Sequence, residues 1–138
     1  MPTASFNKTD AFRETLVEGV NAGTDTWKVL LSNTAPTSAS TNTASITQIA
    51  AGTGYTTGGN TAAVSTSAQS AGVYKLVLSS PSAWTASGAG FTVRYAVLVD
   101  STADSVAGWW DYGSSQAVAA GETFTVTLDG TNGVFQVT

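Results

Sequence analysis

The chain has 138 residues, a formal net charge of −4 and charged side chains at only 10% of positions. It contains no histidine and no cysteine, which removes Ser-His-Asp and Cys-His catalysis, disulfides, and zinc sites built on imidazole or thiolate. The five basic residues, Lys8, Arg13, Lys28, Lys75 and Arg94, do not cluster, so there is no basic stripe to displace counterions from a nucleic acid.

Hydrophobic residues make up 42% of the chain, enough for a real core in one domain of ordinary size. The surface is left to 23 threonines and 16 serines, with 14 glycines between them. Threonine favours strands, while serine and glycine favour turns. An all-β protein with a neutral hydroxyl surface is expected. No basic segment followed by an apolar one marks a signal peptide. No apolar run approaches the roughly 18–20 residues needed to span a bilayer, so no membrane role is expected.

Residues 1–9 read as a short polar arm, and 10–138 as a single domain. The one predicted helix runs from about Asp10 to Val20. Phe12, Leu16 and Val20 recur at i, i+4 and i+8 and share a face. Val17 widens that stripe, while Arg13, Glu14 and Glu18 point to solvent. Asp10 suits the N-cap, and Gly19 or Gly23 the stop. The helix reads as a lid over one end of a β core, or else as a docking helix for a neighbouring subunit.

Trp27 to Leu31 predicts a strand. Asn33 to Ser45 is a polar Ser/Thr/Ala/Asn stretch around Pro36, expected as a mobile surface excursion. Ile46 to Ile49 predicts a short helical turn or an edge strand. Gly52 to Gly59 holds four glycines around Tyr55 and demands turn geometry. Further strands are predicted at Thr61–Ser67, Val73–Ser79, Phe91–Val99, Val106–Tyr112, Thr123–Leu128 and Val134–Val137. In the 91–99 strand, Phe91, Val93, Tyr95, Val97 and Val99 form one row. Between the last two strands, Asp129-Gly130-Thr131-Asn132-Gly133 predicts a hairpin. The pattern points to an antiparallel, jelly-roll-like β-sandwich with one short N-terminal helix, a flattened barrel being the alternative.

With imidazole and thiol absent, carboxylates are the remaining chemistry. Asp104 and Asp111 are a conceivable glycosidase pair, but no spacing rule selects them from nine acids. Asp100, Asp104 and loop carbonyls offer oxygen ligands for calcium, yet no EF-hand loop is present. Gly52-Thr53-Gly54-Tyr55 lacks the helix context and lysine of a phosphate loop. No catalytic, cofactor or metal site is therefore expected. In Trp109-Trp110-Asp111-Tyr112, strand alternation puts Trp110 and Tyr112 on one side and Trp109 and Asp111 on the other. Either one tryptophan is exposed as a contact surface, or both faces are covered, by the opposite sheet and by the helix. The contact candidates are Trp110, Tyr112, Trp84, Tyr55, Phe6 and Phe12.

A series of segments carries more than composition does. It runs from Phe6-Asn7-Lys8-Thr9-Asp10-Ala11-Phe12 through Gly23-Thr24-Asp25-Thr26-Trp27-Lys28-Val29 and Leu31-Ser32-Asn33-Thr34-Ala35-Pro36. Ile46-Thr47-Gln48-Ile49-Ala50-Ala51-Gly52-Thr53-Gly54-Tyr55 and Gly58-Gly59-Asn60 follow. Arg94-Tyr95-Ala96-Val97-Leu98, Gly108-Trp109-Trp110-Asp111-Tyr112-Gly113 and Gly121-Glu122-Thr123-Phe124 complete it. In this order, and over nearly the whole chain, it resembles small structural proteins of tailed bacteriophages and prophages. The stretch Val20-Asn21-Ala22-Gly23 departs from that pattern in lacking a histidine. The resemblance implies a virion component without catalytic residues. Small size, acidity and the lack of a fibrous segment favour a capsid decoration, or cement, protein on the outer head. Its partners would be the major capsid protein and further copies of itself, as a dimer or trimer. A tail or fibre-associated protein that binds a host surface is the alternative.

Overall fold

Apolar residues at alternating positions need a pleated surface with cover on at least one side. A computed structural model describes residues 4–138 and supplies that surface. The elements in chain order are β1 (Phe6–Lys8), α1 (Ala11–Glu18), β2 (Trp27–Ser32), a 3-10 turn (Thr43–Ser45), β3 (Asn60–Thr61), β4 (Val64–Ser70), β5 (Val73–Leu78), β6 (Trp84–Thr85), β7 (Phe91–Asp100), β8 (Ser105–Val118), β9 (Thr123–Phe124) and β10 (Phe135–Val137). A five-stranded sheet, β1-β8-β7-β2-β3, accompanies a three-stranded sheet, β10-β5-β4, and the pair β6-β9. All of these pairings are antiparallel. The fold is all-β and sandwich-like, with one short α-helix among the described residues. No described helix is long and apolar enough to cross a membrane.

The main core joins both large sheets. Trp27, Val29 and Leu31 of β2 and Val93, Ala96 and Leu98 of β7 share one cluster with Leu76 and Leu78 of β5, Phe124 and Phe135. Helix α1 adds Phe12, set edge-on to Trp27 at 6.1 Å and to Phe135 at 5.6 Å. Such tilted contacts suit the aromatic quadrupole. Leu16 and Val20 pack at the margin of the core, so the helix does lie along one end of it. Glu14 and Glu18 are exposed. The side chains of Arg13 and Val17, expected to face solvent and to widen the apolar stripe, lie outside the described residues.

Both faces of the central sheet are covered, and this changes how β7 is read. Val97 and Val99 join Leu30, Val106 and Ile46 in a second cluster on the outer face, with Trp109 against it. The single row from Phe91 to Val99 is therefore broken. The register shifts between Val93, opposite Gln116, and Tyr95, opposite Asp111. Across that step β8 has four residues, 112–115, opposite the single β7 residue Arg94. A bulge of this kind reverses which side chains face inward, so Ala96 and Leu98 occupy the main core in place of Val97 and Val99.

The outer cluster is covered by the polar excursion and not by the helix. Ser38 O accepts from Asp10 N at 2.8 Å, Thr41 O from Val106 N at 3.0 Å, and Asp104 Oδ1 from Thr43 N at 3.0 Å. Ser32 bridges to Gln48, and Pro36, Ser40 and Ile46 are buried. The segment expected to be mobile is fastened at several points along its length.

Two further expectations change. Asp129 does cap a tight turn, its Oδ1 accepting from Thr131 N and Asn132 N at 2.8 Å. The flanking segments do not form a hairpin, because β9 pairs with β6 while β10 pairs with β5. The turn carries the chain between sheets. At the other end, residues read as part of a free arm form an edge strand. Phe6 lies opposite Trp110 and Lys8 opposite Gly108, and the buried Thr9 donates its hydroxyl to Val106 O at 2.6 Å.

Gly108 makes that edge strand possible. A Cβ there would overlap the Asn7 carbonyl and the Phe6 ring. Gly108→Ala is expected to push β1 off β8 at a cost of about 1–3 kcal/mol. Amide exchange at residues 6–9 should accelerate while that of 93–99 stays slow. Unchanged protection at residues 6–9 would refute this account of the glycine.

Candidate contact site

Of the six contact candidates, three belong to the core. Tyr55 and Trp84 are each 2% exposed and Phe12 is 3% exposed. Trp84 packs against Phe124 at a centroid distance of 6.4 Å. Tyr55 reaches inward from its glycine-rich loop, donates to Gln48 Oε1 at 2.5 Å and accepts from Leu31 N at 3.4 Å. Burial pushes its phenol above the usual tyrosine range, a shift the Leu31 N–H opposes. These side chains anchor a loop, a helix and a short strand to the core and present no surface for a partner.

Phe6, Trp110 and Tyr112 are half-buried and lie close together. Cross-strand register sets Phe6 opposite Trp110, and their rings sit 4.7 Å apart at 44°. Tyr112, two residues on, packs edge-on to Phe124 at 5.4 Å, and burial raises its phenol pKa as well. Beside Phe6 and Trp110 opens a cleft of about 210 Å³, lined also by Ala4, Asp129, Gly133 and Val134. Small-molecule pockets typically run from about 300 to 1,000 Å³. This cleft has the scale of one protruding side chain.

Its polar content points the same way. The Asp129 carboxylate is occupied by its own turn, through Thr131 N, Asn132 N and Asn132 Nδ2. Those donors, that of Asn132 first, hold it below the usual carboxylate range. What remains for a partner is the outward margin of two aromatic rings. Interfaces concentrate binding energy in such aromatic anchors.

The acids proposed for chemistry are not brought together. Asp111 forms a two-pronged pair with Arg94, at 2.9 and 3.1 Å, and Arg94 lies 5.2 Å from the Tyr95 ring centre. The Arg94 hydrogen bonds, chiefly, hold Asp111 below its ordinary range. Asp104 instead fastens Thr43. At roughly 3.3 Å of rise per strand residue, Asp104 and Asp111 stand on the order of 20 Å apart, far beyond glycosidase spacing. Asp100 does not join Asp104. Its Oδ1 accepts from Thr102 N and Ala103 N, and its carboxyl faces Asp25. No group of three metal-binding side chains occurs among the described residues.

Sequence reasoning missed one apolar feature. Leu16, Val20, Ala22, Tyr74 and Val137 line a groove where α1 meets the three-stranded sheet, and Val137 is 46% exposed. The helical stripe hinted at its first two members. The strand pairing that brings Val137 alongside was not legible. Comparison with known proteins finds no matching family model, curated protein or solved structure.

Proposed function

We propose that this protein is a structural subunit of a tailed-phage virion, a capsid decoration protein that binds the major capsid protein on the outer head and stabilises it. The observation that carries the reading is the ordered series of motifs, spread over nearly the whole chain, that resembles small phage structural proteins. Many of those motif residues have architectural roles here, such as the Tyr55 hydroxyl anchored by Gln48 and Leu31. The likeness is thus one of scaffold, and function falls to the surface that the scaffold displays.

That surface suits attachment to protein. It is rich in hydroxyls and poor in charge, and it offers an aromatic cleft of side-chain size. With a net charge of −4 and no basic stripe, the subunit suits a position away from the packaged genome. The test is to add purified subunit to particles that lack it and image them by cryo-electron microscopy. Density at symmetry-related sites over the head, with raised heat resistance, is the expected result. Density only on the tail, in few copies, would favour the host-binding alternative. Absence from particles would remove both.

Trp110→Ala should weaken attachment by about 2 kcal/mol, roughly thirtyfold, as loss of an aromatic anchor does. Circular dichroism should stay unchanged. A variant that folds and attaches normally would exclude the cleft as the docking point.

A further inference from the structure

Edge strands expose a row of unpaired backbone donors and acceptors, and proteins guard them by shortness, charge, proline or bulges. Most edges here are guarded. β3 has two residues and β10 three, the β6-β9 pair is two residues long, and β1 carries Lys8. β4 is different. It spans seven residues at the edge of its sheet, contains no charge and no proline, and is exposed from Ser65 to Ser70. The register shift between Val64 and Thr66 disturbs only its first end. The other end is stiffened by a tight turn, with Ala71 and Gly72 both at positive φ, that sets Ser70 opposite Val73. The regular stretch Thr66–Ser70 is therefore already shaped for a further strand, which lowers the ordering cost of adding one.

We infer that this edge pairs with a second copy of the same chain, antiparallel about a twofold axis at Ala68. Full overlap of Thr66–Ser70 sets Thr66 opposite Ser70, Ser67 opposite Gln69 and Ala68 opposite itself. Every cross-strand pair is small or hydroxyl- and amide-bearing, so no like charges meet. An uncharged strand offers no charge to select or orient a foreign partner, whereas a twofold needs only self-complementarity. Two chains of net charge −4 also approach most easily along an uncharged strip. Lys75, opposite Ala68 on β5, is the nearest cation in the sheet. The two copies of it would stand three strand spacings, roughly 14 Å, apart, beyond the Debye length of about 8–10 Å. The joined sheet has the order β10-β5-β4-β4-β5-β10. This pairing does not depend on what the subunit attaches to.

The chain has no cysteine, so a single introduced thiol gives an unambiguous report. Directly opposed residues of an antiparallel pair have Cα atoms about 4.5–5.5 Å apart, within disulfide reach. Ala68→Cys should form a crosslinked dimer at least roughly tenfold faster than the exposed control Ala120→Cys, because pairing raises the local thiol concentration. Wild type should sediment as a dimer at tens of micromolar. Ala68→Lys, which sets two ammonium groups face to face, should sediment as a monomer with an unchanged circular dichroism spectrum. The cysteine variant alters little bulk and stays informative if the lysine variant unfolds. A monomeric wild type, a dimeric Ala68→Lys, or equal crosslinking rates for the two cysteine variants would overturn the inference.

Discussion

Gly59→Ala is expected to lower the unfolding free energy by about 2–5 kcal/mol, the sum of a backbone and a packing effect. Gly59 has φ +66, a region that costs a side-chain-bearing residue about 1–2 kcal/mol. A Cβ there would also overlap the Val29 carbonyl and come within 3.1 Å of Leu30 Cα. Both contacts are with the β2 backbone, so nothing flexible is there to yield. Val29 pairs with Asn60, so relief would require β3 to leave β2, whose inward residues Trp27, Val29 and Leu31 line the main core. Gly88 is the control. It has a similar φ of +57 but open space around it, so Gly88→Ala should lose only the backbone part. Urea denaturation of both variants gives the comparison. Equal losses would mean that close approach is not what demands glycine at position 59.

Asp100→Asn is expected to raise stability at pH 8 by about 2–3 kcal/mol and to flatten its dependence on pH. Asp100 is fully buried. Its Oδ1 takes two backbone N–H groups, but Oδ2 is buried without an N–H or hydroxyl donor. The group beside it is the Asp25 carboxyl, so favourable contact needs a proton held between the two. Burial, first, and then Asp25 push Asp100 up from 3.8 to about 6. A carboxyl whose folded pKa is raised takes up its proton more readily folded than unfolded. Its contribution is therefore complete below the unfolded value and is lost as pH climbs from about 4 through about 6. Above that window the ionised group weakens the junction between the 21–26 loop and the turn after β7. Asparagine keeps the acceptor for Thr102 and Ala103 and supplies Asp25 with a permanent donor. Thermal unfolding of both proteins between pH 3 and pH 8 is the measurement. Parallel curves would mean that the pair shares no proton.

Strand positions were largely legible in the sequence; orientation and pairing were legible only in part. Trp27–Leu31 carries its pattern plainly; in Thr123–Leu128 the alternation foretold burial of Phe124, Val126 and Leu128, but only Thr123–Phe124 forms a strand. In β7 every residue from Tyr95 to Asp100 is buried, and a strand covered on both faces loses the alternation that tells inside from outside. The bulge opposite Arg94 leaves a single local mark, Gly113 at φ +84 within β8. The excursion over the outer face is held largely by its own backbone, which composition does not report. Tyr55 and Trp84 lie in polar, glycine-bearing contexts that suggest exposure. Only tertiary packing turns them inward. Phe6 and Trp110 were both named, but they meet through strands about a hundred residues apart, a distance that no motif spans.

That separation has a consequence for synthesis of the chain. β1 pairs with β8, and β2 with β7, so the earliest strands wait for the last third of the polypeptide. Until then Trp27, Val29 and Leu31 have no neighbouring β7 to lie beside. Non-local pairing of this kind slows folding and leaves nascent chains open to aggregation. A fragment ending before β7 would keep the hydrophobic strand and lose its cover, so the polypeptide does not divide into halves that mature separately.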